Sequence, residues 1–295
     1  MDKRALGRTG MNVSRITMGG MATEKMDQAL ADKVFNTALD RGINIIDTSP
    51  EYPNSELLIG RAVSHRRKEF FIATKCGDHE KDYRRWTREN FIDNLNSSLK
   101  LLKTDYIDLW EMHGLAPGYL KGGENDETIE YMKEVQREGK IRHIGVTFRN
   151  GNPTDDQYPG DFSYNAIKEY KNWEVFSTFQ VVYGCLTRQC EKAISEAAEK
   201  GKGIFARGNF RNYFPWYHRL FEDAKLYELF DGGEDKSSFM LRFALSHPDI
   251  DSIVIGSSNP VNIVKNALAA DKGALKSDVY EEAKRRLAKR GAMPK

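Results

Sequence analysis

Short apolar runs alternate along this chain with longer stretches in which apolar residues recur every three or four positions. The runs read as strands: RITMGG from residue 15, INIID from 43, FFIATK from 70, YIDLWEMH from 106, IRHIGVTF from 141, FSTFQVVY from 176, GIFAR from 203 and DSIVIGS from 251. Between them, Leu30, Val34 and Ala38 share one helical face, as do Phe91, Leu95, Leu99 and Leu102. Thr87 and Asn259 stand where N-caps belong, the latter with Pro260 at the first helical position. Gly139 and Gly201 stand where helices end, just before the next strand. Eight strands alternating with eight helices predict a closed parallel (β/α)8 barrel of the TIM type. An open doubly wound sheet is the alternative. Its glycine fingerprint must join a strand to a helix, whereas Gly201-x-Gly203-x-x-Ala206 joins a helix to a strand, so those glycines read as a turn.

Ahead of the first barrel strand, ALGRTGMNVS has the turn chemistry of a small hairpin closing the bottom of the barrel, and residues 277–290 read as an extra outer helix. Long polar loops are expected over 114–127, 149–161 and 208–236. No linker or repeat divides the chain, so residues 1–295 are read as one domain.

Charge narrows the classes of partner. With 45 basic and 43 acidic residues the net charge is +2, which predicts neither a nucleic-acid nor an anionic-membrane partner. The basic cluster Arg66-Arg67-Lys68 reads as a solvated helix end. No apolar stretch follows the first charges and no run is long enough to span a bilayer, so a cytoplasmic location is expected. Cys76, Cys185 and Cys190 then read as reduced thiols. Cys76-x-x-His79 and Cys185-x4-Cys190 lack the spacing of a metal site, and no metal is expected. The oligomeric state is not encoded legibly.

In such a barrel the active site sits at the C-terminal ends of the strands. The second, third and fourth strands end in Asp47, Lys75 and His113, and Tyr52 follows Asp47 across a turn containing Pro50. Adjacent strands lie roughly 4.8 Å apart, so these groups converge on one patch. A phenol with a pKa near ~10 is a weak acid at neutral pH, and a neighbouring ammonium is expected to lower it. Lys75 supplies that charge, Asp47 holds Lys75, and His113 can polarise a carbonyl oxygen. Such a set delivers a proton to an oxygen that becomes an alcohol, and it requires a hydride donor.

The segments LGRTGMNVSRITMGGM, GINIIDTSPEYPNSELLIGRAV, FFIATKCG, DYIDLWEMHG, EGKIRHIGVT and IVIGSSNPVNIVKN, in this order, resemble those of the aldo-keto reductase superfamily, its bacterial members included. The resemblance runs from about residue 4 to 270. It implies NAD(P)H-dependent reduction of an aldehyde or ketone, with Asp47, Tyr52, Lys75 and His113 as the catalytic set and Tyr52 as general acid. Two alternatives are a non-catalytic sensor of the nicotinamide cofactor and a Schiff-base lyase using Lys75.

The resemblance also implies where a cofactor lies. Gly20, Met21 and Asp47 would flank it, and Gln180 with Thr147 would hold the nicotinamide carboxamide. Phe148 replaces an asparagine that assists in the family, and Arg207 stands where many members stack a tyrosine on the nicotinamide. Gly256, Ser257 and Ser258, before the helix begun by Asn259, suit a phosphate, and Asn266 would meet the adenine. Members that favour the 2′-phosphorylated cofactor carry cations at the positions of Gly256 and Asn262, with Lys265 a substitute here. NADP(H) is therefore expected by family habit, with NAD(H) as the alternative. For the carbonyl or alcohol substrate, aromatic walls are expected from Tyr83, Trp86, Trp110, Phe210, Tyr213, Phe214, Trp216 and Tyr217, suiting a sugar ring or an aryl carbonyl.

Overall fold

The computed structural model describes residues 1–77, 87–149, 162–210 and 219–294. The chain opens with an antiparallel hairpin, β1 (Lys3–Ala5) and β2 (Asn12–Ser14). Eight strands follow: β3 (Ile16–Gly19), β4 (Ile45–Asp47), β5 (Phe71–Cys76), β6 (Ile107–His113), β7 (Ile141–Thr147), β8 (Thr178–Val182), β9 (Gly203–Arg207) and β10 (Ser252–Ile255). They pair in parallel in chain order, and β10 closes the barrel on β3. The described helices are α1 (Gln28–Asp40), α2 (Ser55–Val63), α3 (Arg88–Leu102), α4 (Glu127–Arg137), α5 (Phe162–Tyr170), α6 (Glu191–Ala198), the short α7 (Leu220–Asp223), α8 (Lys236–Leu245), α9 (Pro260–Asp271) and α10 (Ser277–Ala288). The expected (β/α)8 barrel, hairpin and final helix are all present.

Local chemistry sets the boundaries. Thr87 and Asn259 cap α3 and α9 by accepting from Asn90 N and Val261 N, and Pro260 starts α9. Gly139 and Gly201 adopt φ of +77° and +76°, which lets the chain leave α4 and α6 sharply. The second strand begins later than its apolar run suggests. The Asn44 carbonyl still accepts from Phe71 N at 2.8 Å, while its side chain holds the hairpin, accepting from Ser14 N at 2.6 Å and donating to the Asn12 carbonyl at 2.9 Å.

Side-chain alternation splits the core in two. Ile46, Ile72, Trp110, Ile144, Phe179, Ile204 and Ile253 face outward and are sealed by helix residues such as Val34, Phe91 and Met132. Inside the barrel, Ile45, Ala73, Leu109 and Phe205 meet Leu6, Met11 and Val13 of the hairpin. The hairpin is therefore the floor of the barrel. Each of its fully buried side chains contributes about 1.5–3 kcal/mol. Gly203 makes room for it, since a Cβ there would stand 2.7 Å from Leu6 Cγ.

Two expectations fail for reasons of facing. Trp110 does not reach the barrel mouth. It is wholly buried with its ring 5.5 Å from that of Phe91, because position 110 falls between the inward-facing 109 and 111. Arg67 is not a solvated helix end. It lies beneath the barrel, its guanidinium 4.1 Å from the Tyr106 ring and 2.6 Å from buried Asp108, whose other oxygen takes Arg142 at 2.9 Å. Among the described residues, no helix is long and apolar enough to cross a membrane.

Candidate active site

The strand ends bring the predicted groups together. Asp47 pairs in register with Ala73, Lys75 with Glu111, and His113 with Thr147, so each lies on the inward face near its strand's C-terminal end. Tyr52 is set by a tight turn in which its own N–H donates to the Ser49 carbonyl at 3.1 Å and its carbonyl accepts from Ser55 N at 3.0 Å. Asn54, at φ +57°, then turns the chain into α2.

Lys75 is completely buried and donates to Asp47 Oδ1 at 2.6 Å and to the Thr48 carbonyl at 2.7 Å. Its ammonium lies 5.3 Å from the Tyr52 ring centroid, and the His113 ring meets Tyr52 edge-on at 6.3 Å. His113 Nδ1 faces Glu51 Oε2 at 3.3 Å and Ser49 Oγ at 3.5 Å. Burial disfavours the Lys75 charge, but Asp47, Tyr52 and Glu111 outweigh it and hold the ammonium protonated well above its ordinary range.

The expected lowering of the Tyr52 phenol is not the net result. Burial raises it and Lys75 pulls it down, yet burial, with the Asp47 and Glu51 carboxylates, prevails. Tyr52 is thus a firm phenol at neutral pH, a donor that keeps its proton until an oxygen nearby becomes more basic.

A cavity of about 690 Å³ opens beside these groups, lined by Asp47, Tyr52, Gln180, Arg207, Met21 and the Gly256-Ser257-Ser258 turn, among others. A second, of about 340 Å³, is lined by Asn262, Asn266, Lys265 and Asp235 and shares Phe210, Gly256 and Ser257 with the first. Gly20 does not line either cavity; a Cβ there would meet Ser55 Oγ at 2.5 Å, so its bareness serves the fit of α2. Thr147 lies just beneath, bonded to Glu111. Phe148 turns outward, packing against Phe179 at 4.9 Å, while its carbonyl accepts from Arg207 Nη2 at 2.6 Å. Among the described residues, Arg207 Nε is buried without a partner. Tyr83, Trp86, Tyr213, Phe214, Trp216, Tyr217 and His79 lie outside the described residues.

Sequence reading missed two acids. Glu51 stands against His113, and Glu111 sits inside the barrel under Gln180 and Thr147. Glu111 had a usable signal: on a strand, positions 109, 111 and 113 share a face, so an acid two places before His113 must point inward.

A model of the Aldo/keto reductase family matches residues 15–211. The chain is 30% identical to "Uncharacterized oxidoreductase YqkF" of Bacillus subtilis over 70% of its length, and 30% identical to "Aldo-keto reductase YhdN" of the same organism over 68%. Those matches span 64% and 60% of the two relatives' own lengths. The fold is shared with aldo-keto reductase AKR11C1 from Bacillus halodurans (holo form), at a TM-score of 0.79 and 24% identity over 97% of this chain and 96% of that one. With most of its barrel matched by the family model, the chain belongs to the aldo/keto reductase family.

Proposed function

We propose that this chain is a nicotinamide-dependent oxidoreductase that reduces an aldehyde or ketone to an alcohol, with Tyr52 as general acid. One observation supports the reading above the rest. Tyr52 and Asp47 both line the larger cavity, and the buried Lys75 ammonium, bonded to Asp47, lies 5.3 Å from the phenol ring.

The cavity residues fit a nicotinamide dinucleotide. Gln180 commits its amino group inward, to Asp47 Oδ1 at 2.8 Å, and no described residue donates to its amide oxygen. That oxygen and Thr147 suit the carboxamide, and the planar Arg207 guanidinium suits the nicotinamide ring. Met21 borders the same space. Gly256, Ser257 and Ser258 precede α9 and suit phosphate, while Asn262 and Asn266 lie where an adenosine would reach. When bound, the dinucleotide supplies the hydride that adds to the carbonyl carbon.

The residues of the chain then divide the work. His113 hydrogen-bonds the carbonyl oxygen and fixes its position. Tyr52 gives its proton to that oxygen as negative charge gathers there. Lys75 stabilises the phenolate that remains, and Asp47 with the Thr48 carbonyl keeps the ammonium aimed. Phe210 borders both cavities and offers a wall for a sugar or aryl carbonyl. Lys265 and Asp235 both line the adenosine side, so we read any preference for NADP(H) over NAD(H) as slight. We place the protein in the cytoplasm as one domain.

Tyr52→Phe tests the assignment. Single-turnover oxidation of NADPH by a panel of small aldehydes is expected in the parent and absent in the variant, while fluorescence quenching by cofactor persists in both. Full turnover in the variant would refute Tyr52 as the acid. Cofactor binding with no turnover in the parent would favour the sensor.

A further inference from the structure

One buried acid takes no part in that chemistry. Glu111 lies wholly inside the barrel, paired in register with Lys75 and two places before His113. Its Oε2 accepts from Thr147 Oγ1 at 3.0 Å and lies 3.4 Å from Gln180 Nε2, while Oε1 is buried with no partner among the described residues. The groups around it come from every neighbouring strand. Asp47 on β4 repels it, Lys75 on β5 and Arg207 on β9 attract it, and the Cys76 thiol on β5 lies close by. Thr147 on β7 and Gln180 on β8 are neutral and touch it directly.

We infer that Glu111 is a positioning residue for the dinucleotide: its carboxylate turns the Thr147 hydroxyl and the Gln180 amino group inward as donors, so that both present acceptors to the nicotinamide carboxamide. This rests on the dinucleotide reading above. An ionised carboxylate only accepts hydrogen bonds. Thr147 must then spend its single hydrogen on Glu111, and Gln180 its amino group on Glu111 and Asp47. What remains toward the cofactor is a hydroxyl lone pair and an amide oxygen, matched to the two N–H donors of a carboxamide.

A proton on Glu111 reverses the pattern. The acid becomes a donor to Thr147 Oγ1, and the threonine hydrogen swings outward to oppose a donor of the carboxamide. Burial lifts Glu111 to about 7, against the pull of Lys75, so this reversal falls in the neutral range. The ionised form binds the cofactor, so affinity weakens as pH falls, and binding near neutrality releases a proton.

The test uses the full chain and NADH, which lacks the 2′-phosphate that titrates near the same pH. NADH affinity is measured by fluorescence titration between pH 6 and 8. If only the ionised form binds, the parent Kd rises about tenfold from pH 8 to pH 6, while Glu111→Gln gives a flat profile. A flat parent profile overturns the inference, and so does the same slope kept in Glu111→Gln, which would assign the titration to another group. Should Glu111→Gln not fold, Thr147→Val decides. Thr147→Val removes the hydrogen through which the Glu111 proton reaches the cofactor, so the pH profile is expected to lose most of its slope, and a parent-like slope overturns the inference. A parent that binds neither NADH nor NADPH at any pH removes the dinucleotide reading itself, an outcome distinct from binding with a flat profile.

Discussion

Lys75 Nζ lies 2.6 Å from Asp47 Oδ1, and the pair is closed off from solvent at the base of the cavity. The strands carrying them are neighbours in the barrel, and the pair takes its geometry from that adjacency. Removing one partner from a buried ion pair strands the other's charge, at a cost of about 3–5 kcal/mol.

Lys75→Met is therefore expected to act twice. Turnover falls by about 10²- to 10⁴-fold, the range of proton-transfer catalysis, and the melting temperature drops because Asp47 and Glu111 lose their shared cation. Steady-state kinetics with thermal unfolding checks both. Parent-like turnover would remove Lys75 from the proposed chemistry.

Asp108 gives a stability prediction away from the site. It is buried beneath the barrel and accepts from Arg67 at 2.6 Å, Arg142 at 2.9 Å and Ile72 N at 2.9 Å. Asp108→Ala leaves Arg67 partly buried and unmatched, and the expected loss is about 3–5 kcal/mol. Urea denaturation reads it. A loss below about 1 kcal/mol would mean that the network behaves as a solvated surface pair.

Glu111 makes stability depend on pH. Its folded value, about 7, stands above the ordinary carboxyl value, so the folded chain holds this proton more tightly than the unfolded chain. The stabilisation is complete below the unfolded value and is lost as pH rises through about 7, by about 3.5 kcal/mol at most. Glu111→Gln is expected to gain stability relative to the parent between pH 5 and pH 8. An unchanged difference at the two pH values would contradict this.

Cofactor discrimination should be weak and adjustable. Lys265 and Asp235 line the same small cavity and are exposed, so each acts through a screened charge. Lys265→Ala should weaken NADPH more than NADH, and Asp235→Ala should do the reverse, each by up to about fivefold. Paired Kd measurements at low salt check this, and identical effects on both cofactors would place the 2′-phosphate elsewhere.

The sequence alone determined the barrel and the residues at its strand tops. Apolar runs, helical faces, the caps at Thr87 and Asn259 and the turns at Gly139 and Gly201 are local signals, and a local signal survives in one dimension. Asp47, Lys75 and His113 were legible because a strand's end is visible from its own residues. Facing and environment were not. Trp110 went to the outer core, Arg67 to a buried acid, and Glu51 to His113. The protonation of Tyr52 and Glu111 was decided by the tertiary structure alone. It depends on burial and on charges from β4, β5 and β9 summed over a few ångströms, and closing the barrel is what brings those strands to that distance.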